Sequence, residues 1–428
     1  MIFFSWNRDF FLRSCQKWVF MSSSSEKNSV QKYTMFVHSF ECVSFRVSLR
    51  STKKPIASNL KKHMKPKTIL TGLAAALLAP GALFAQTTAT TTPVGYVSLT
   101  IPAESDSTFT PALSQAPVLS TAVTQVSGNT VSFSATGITA NSFVNADPAF
   151  TKSYLLVTSG PLQGQRYPIS GNTTSSITVA ASTSLQTAGL LAGATFSVIN
   201  NWTLQTLFPG GSGVGVSTDL YEPLGLVLVS DQSTVGVNRA STGAYYYYVG
   251  DETFPAGWRD ANDPEGQSYN DLPLDPTITY TIRTGLTPQT LTLSGQVAST
   301  KLVSYFVTAD EANDQYVSNP FPVDITLQAS GLQSAVVEST DIYDPKDLVF
   351  VYDETSEGVN KGASETYFYF AGDNDFAAGW RNANDPEGEL ITAPVLKAGR
   401  CFTIRKQASE NPGEVVWSAP LPYTLNPQ

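Results

Sequence analysis

Residues 217–285 recur as residues 339–407 at a constant offset of 122, with no insertion or deletion and 31 of 69 positions identical. Ser217-Thr-Asp-Leu-Tyr-Glu-Pro223 returns as Ser339-Thr-Asp-Ile-Tyr-Asp-Pro345. Gly257-Trp-Arg-Asp-Ala-Asn-Asp-Pro-Glu-Gly266 returns as Gly379-Trp-Arg-Asn-Ala-Asn-Asp-Pro-Glu-Gly388, and Thr281-Ile-Arg283 as Thr403-Ile-Arg405. Two segments that match this densely adopt one fold. Any architecture for the chain must therefore contain that unit twice.

The local pattern makes the unit β. Runs of five to eight alternating or aromatic residues, such as Val94–Ile101, Leu226–Val229 and Tyr245–Val249, are punctuated by Gly, Asn, Asp and Pro. No 3.6-residue apolar period is found beyond residue 85. A fainter echo extends the repeat: Val94-Gly-Tyr96, Ser105-Asp106 and Pro111 match Val303-Ser-Tyr305, Asn313-Asp314 and Pro320. Asp106 precedes Asp219 by 113 residues but Asp314 precedes Asp341 by only 27, and the difference of 86 is about the span 117–205. That span has its own hairpin signals at Gly128-Asn129 and Gly171-Asn172. The expected fold is all-β: two related β-sandwich-like units in tandem, with a small β-barrel-like domain inserted in the first. Residues 86–116 are the lead strands of unit one, 117–205 the insert, 206–300 the rest of unit one, and 301–428 unit two. The glycine run Gly210–Gly215 reads as a flexible joint after the insert.

The first 85 residues differ in kind. They hold 13 of the 26 Lys+Arg, 3 of the 35 Asp+Glu, and both His. Residues 64–85 join a basic start, an apolar stretch and a small residue at Ala85, the pattern of a secretory signal peptide. Such a signal works from the N-terminus, so residues 1–63 are expected to be a spurious, disordered extension, with Met64 the functional start. The alternative is a cytoplasmic leader with an internal membrane anchor. Residues 86–428 then carry 13 Lys+Arg and 32 Asp+Glu, a net charge of −19. Nucleic acid and anionic membrane both need a basic footprint, so neither is expected as a partner. No transmembrane segment is expected after residue 85. Cys401 is the one cysteine there, which excludes an intramolecular disulfide and suits a buried thiol.

A family resemblance rests on Pro93-Val-Gly-Tyr-Val-Ser-Leu-Thr-Ile-Pro-Ala103, Ser127-Gly-Asn-Thr130, Val157-Thr-Ser-Gly160 and Asn201-Trp-Thr-Leu-Gln-Thr-Leu-Phe-Pro209. Over roughly residues 93–300 the chain resembles an uncharacterised paralogous family of secreted proteins from Verrucomicrobia. The second partial copy at 301–428 departs from that family's single-unit pattern. The resemblance implies export and β structure, and no catalytic residues.

No histidine follows residue 63, which removes Ser-His-Asp and Cys-His nucleophiles, His-ligated zinc and histidine base chemistry. Carboxylates remain. Asp251, Asp263 and Glu265 near Trp258, matched by Asp373, Asp385 and Glu387 near Trp380, could form a glycosidase pair. The bland reading is structural, because Asp263-Pro-Glu-Gly266 has the type I turn signature. Calcium is a third reading. Its ligands would be Asp251, Asp260, Asn262, Asp263 and Glu265 in one copy, and Asp373, Asp375, Asn384, Asp385 and Glu387 in the other. Against it, Pro264 and Pro386 occupy a ligand position of the usual loop.

Tyr245-Tyr-Tyr-Tyr248 aligns with Tyr367-Phe-Tyr-Phe370. Alternate strand residues face opposite sides, so the face of Tyr246 and Tyr248, which tolerates Phe, is expected in the core. Tyr245, Tyr247, Tyr367 and Tyr369 are expected to reach water or a partner. Trp258-Arg259 and Trp380-Arg381 could stack as an aromatic ligand face, or the arginine could clamp the acidic loop through Asp263 or Asp385. The expected function is an exported, non-enzymatic surface or envelope binding or scaffolding protein, placed extracellularly, on the cell surface or in the periplasm. A carbohydrate-binding module, with or without calcium, and a carboxylate glycoside hydrolase are the alternatives.

Overall fold

The structure, a computed structural model, describes residues 93–425, and before them only two short antiparallel strands, Phe20–Ser22 and Thr34–Phe36. The expectations for 1–63 and for the signal peptide at 64–85 otherwise fall outside the described residues. Residues 93–425 belong to one compact unit. Among the described residues no helix is long and apolar enough to cross a membrane.

The fold is all-β, and the repeat is visible as topology. In the first copy a sheet runs in the order Val216–Ser217, Ser241–Tyr248, Leu226–Ser230, Tyr280–Arg283, Asp106–Phe109, with Gly257–Asp260 also on Ser241–Tyr248. In the second the order is Gly379–Asn382, Glu365–Phe370, Leu348–Val351, Cys401–Lys406, Asn313–Ser318. Each copy adds a two-stranded ribbon, Val94–Ile101 with Gln289–Gln296, and Leu302–Thr308 with Gly413–Ala419. Alternation builds the sandwich. Val97, Leu99, Ile101, Leu291 and Leu293 of the first ribbon pack on Phe109, Val227, Trp258, Tyr280 and Ile282 of its sheet. Phe306 and Trp417 do the same over Val349, Trp380 and Ile404.

The far face of each sheet is covered too. Leu220, Tyr246 and Tyr248 form a small second cluster, and Ile342, Phe368 and Phe370 form its counterpart. The segment opening with the repeated Ser-Thr-Asp supplies the cover. Ser217 Oγ accepts from Leu224 N at 2.9 Å, and Ser339 Oγ from Lys346 N at 2.8 Å, which folds each segment back on itself.

The insert closes into a six-stranded barrel: Leu119–Ser127, Thr130–Phe133, Ser153–Val157, Arg166–Asn172, Ser176–Val179 and Thr195–Asn200, in spatial order 6-1-2-5-4-3. Gly128, at φ 57°, makes the expected two-residue turn with Asn129. The second hairpin turns later than expected. Gly171 and Asn172 stay in the strand, and Thr173 Oγ1 accepts from Ser175 N and Ser176 N to form the turn. Asn172 is needed elsewhere, because its buried amide bonds Phe143 N and Thr139 O. The glycine run is a packed segment instead of a loose joint: Gly211 is buried where a Cβ would come within 2.8 Å of Tyr247.

The two copies lock together by exchanging arms. Asp231–Arg239 and Asp353–Lys361 are equivalent, and each ends in Gly-Val-Asn followed by a cation. Asn360, held at φ 51°, reaches the first copy: its N–H donates to Asp106 Oδ2 at 2.7 Å, and its Oδ1 accepts from Arg283 Nη2 at 3.1 Å. Asn238, at φ 49°, repeats both bonds on Asp314 and Arg405, at 2.7 and 3.2 Å. Asp106 N donates to Gly358 O, and Asp314 N to Gly236 O, both at 2.9 Å. Asparagine tolerates the left-handed region because its short amide bonds locally. Contacts that swap partners in this way are the signature of a two-fold interface, here within one chain. Cys401 adds a seam bond, its buried S–H donating to Phe109 O at 3.1 Å, and burial pushes that thiol up to about 12.

Candidate binding surface

The structure buries most of the side chains that the sequence offered as contacts. Trp258 is 0% exposed and Trp380 2%, each at the centre of its sandwich core. Arg259 and Arg381 are buried beside them. Tyr367 and Tyr369 are buried, and Tyr245 and Tyr247 are half-buried against the first core. Tyr245 stacks toward Tyr269 with ring centroids 4.9 Å apart, and burial raises its hydroxyl to about 12. This face is not an open platform: Tyr367 and Tyr369 are buried, the Tyr369 hydroxyl accepting from Gln333 Nε2 at 2.7 Å, while Tyr245 and Tyr247 keep part of their surface exposed. Tyr246 and Tyr248 lie in the core as expected, yet their hydroxyls are used: Tyr246 donates to Leu220 O, and Tyr248 to Asp251 Oδ2 at 2.6 Å.

The arginines do clamp the acidic loops, through different atoms and without tryptophan stacking. Arg259 Nη1 donates to Gly266 O and Nη2 to Pro255 O, both at 2.9 Å. Arg381 Nη1 donates to Gly388 O and Nη2 to Ala377 O, also at 2.9 Å. Each guanidinium lies over phenylalanine, Phe254 at 5.8 Å and Phe376 at 5.4 Å. Carbonyls replace the expected Asp263 and Asp385 carboxylates, which stay exposed on the turn.

The acidic segments are closed turns. Gly266 N donates to Asp263 O and Gly388 N to Asp385 O, each at 3.1 Å, the bond that the Asp-Pro-Glu-Gly signature calls for. Asp260 Oδ1 accepts from Asn262 N at 2.9 Å. Asn382 Oδ1 accepts from Asn384 N at 2.8 Å. Asp251 Oδ1 takes Thr253 N and Phe254 N, and Asp373 Oδ1 takes Asp375 N and Phe376 N, all between 2.7 and 2.9 Å. The Tyr248 hydroxyl, then these N–H groups, hold the Asp251 carboxyl below its usual range. A calcium ion at Asp251, Asp260 or Asp373 would have to compete for an oxygen that already closes the backbone. Among the described residues no group of three or more His, Cys, Asp or Glu side chains converges as a metal-ligand set.

What the turns present is a tyrosine the sequence reading passed over. Tyr221, 63% exposed, donates its hydroxyl to Glu265 Oε1, and Tyr343, 66% exposed, donates to Glu387 Oε1. The glutamate raises each tyrosine hydroxyl above its ordinary value. Asp219 and Asp341 fix the backbone beneath, accepting from Tyr221 N at 2.8 Å and Tyr343 N at 2.9 Å. The two motifs that recur in the sequence thus meet in space, and each copy carries the same exposed Tyr–Glu patch. The available signal was the invariant tyrosine inside Ser-Thr-Asp-x-Tyr-x-Pro. No family model, curated protein or solved structure matches this chain.

Proposed function

We propose that the chain is an exported, non-enzymatic binding or scaffolding protein that works through two equivalent Tyr–Glu patches, Tyr221 with Glu265 and Tyr343 with Glu387. The observation that carries this is the fixed presentation of an exposed ring and a carboxylate at the same place in both copies. Export rests on the signal pattern at 64–85 and on the secreted-family resemblance. The acidic surface suits an envelope component better than nucleic acid.

A carbohydrate ligand is the second reading, favoured by the pairing itself. A tyrosine face packs on the apolar side of a sugar ring while a neighbouring carboxylate accepts from its hydroxyls. Glycan-array binding by the full chain is expected to weaken in Tyr221→Ala and to vanish in the Tyr221→Ala/Tyr343→Ala double variant. Both substitutions are on the surface, so the melting midpoint should stay put. Glycan binding that survives the double variant would remove the patches from the account. If no glycan is bound, the occupant is a protein, and cross-linking from position 221 should capture it.

Calcium assistance has a separate test. Since Asp251, Asp260 and Asp373 already accept from backbone N–H groups and Glu265 and Glu387 from tyrosine hydroxyls, equal midpoints are expected with calcium and with EDTA, whereas a rise of several degrees with calcium would make the turns metal sites. A glycoside hydrolase finds less support. Asp106 and Glu354 share a cavity, but each carries an arginine, Arg283 at 2.7 Å and Arg400 at 3.3 Å. A general acid needs an unpaired, desolvated carboxyl.

A further inference from the structure

Where the exchanged arms end, both copies wall a cavity of about 190 Å³. Equivalent residues face it in pairs, Thr281 with Thr403 and Arg239 with Lys361. Tyr316 and Tyr352 add aromatic surface, and the Tyr352 hydroxyl bonds Thr403 Oγ1 at 2.8 Å.

The charge of this wall runs against the rest of the molecule. Its two carboxylates are already matched, Asp106 by Arg283 and Glu354 by Arg400. Its two remaining cations are not. Arg239 donates only to the carbonyls of Thr234 and Asp314, lies 5.1 Å from the Tyr316 ring centroid, and keeps a buried Nε without a hydrogen bond. Lys361 Nζ donates to Asp353 O at 2.8 Å and Ser356 O at 3.0 Å. Among the described residues neither has a carboxylate within ion-pair distance. Both side chains are half-buried in the cavity wall, where a bound anion would meet two cations that no carboxylate already offsets. That both arms keep a cation at the same position, in a segment of net charge −19, makes the pair a repeated feature.

We infer that the seam cavity binds a small hydroxylated carboxylate, of the sugar-acid class. The two cations take the carboxylate, Arg239 through the fork geometry that suits it. The threonine and tyrosine hydroxyls take the ligand's own hydroxyls. The volume lies below the roughly 300–1,000 Å³ of drug-sized pockets, so one monomeric unit is the natural size. This site is separate from the Tyr–Glu patches and does not depend on them.

The test is calorimetric titration of the full chain with galacturonate, glucuronate and gluconate, beside glucose and inorganic phosphate. At least one sugar acid is expected to bind at one per chain, with glucose and phosphate at least about tenfold weaker. Lys361→Gln, whose amide can still donate to Ser356 O, should weaken that binding about tenfold or more at an unchanged melting midpoint. Arg239→Gln, which also loosens its arm, should abolish it. Equal binding of glucose would overturn the role of the cations, and equal binding of phosphate that of the hydroxyls. No saturable binding of any sugar acid up to about 10 mM would overturn the site.

Discussion

Replacing Lys406 with methionine should lower the stability of the second copy by about 3–5 kcal/mol, the largest effect expected of any single charge removal here. Lys406 is 2% exposed and Asp347 1%, and the ammonium donates to the carboxylate and to Ala335 O at 2.9 Å. Asp347 also accepts from Val337 N at 2.7 Å and Gln407 N at 2.9 Å, so its carboxylate stays anchored in the core when the lysine is gone. An uncompensated buried carboxylate is what makes the loss large. The first copy has Gly225 and Thr284 at the equivalent positions, so the repeat gives no hint of this pair. Urea unfolding checks it: the midpoint of Lys406→Met should fall steeply, and Lys346→Met, at an exposed ion pair, should barely move.

Trp258→Ala is the second large effect, about 3–5 kcal/mol, from the cavity left in the first sandwich core. The indole packs against Phe208 at 5.8 Å and Tyr247 at 5.9 Å between centroids. Its N–H makes no hydrogen bond among the described residues, so shape and area carry its contribution. Trp258→Phe, which keeps most of that area, should therefore cost much less. The comparison also separates core from site. If Trp258 touched a ligand, the alanine variant would lose binding while still folded; as a core residue, it loses binding only in step with unfolding. Melting and glycan binding followed on the same samples decide between them.

The strands were legible because side-chain alternation has a local cause, and the duplication because the offset is constant. Exposure was harder to read. The Tyr/Phe substitution pattern separated the two faces of the strand at 245–248, but both faces pack against other residues. Such a pattern reports what each face tolerates and says nothing of which one meets water. Tyr246 and Tyr248 show the limit, since hydroxyls that the second copy lacks still make bonds in the first. The partners of Arg259 and Arg381 were hidden for another reason. They are backbone carbonyls, which every residue carries, so no side chain marks them. The arms are the clearest case of long-range information. Gly-Val-Asn is identical in both copies, but its partners lie on the opposite copy, and nothing local encodes that crossing.

The central claim is that the two copies form one body through exchanged arms, and it can be tested by cutting the chain between them. A protease site inserted after Ser299, exposed between the strands Gln289–Gln296 and Leu302–Thr308, separates the copies covalently. Size-exclusion chromatography with native mass measurement then reads the result. The two fragments should elute together at the uncut mass and melt in one transition. Fragments that separate on the column and melt independently would contradict the account.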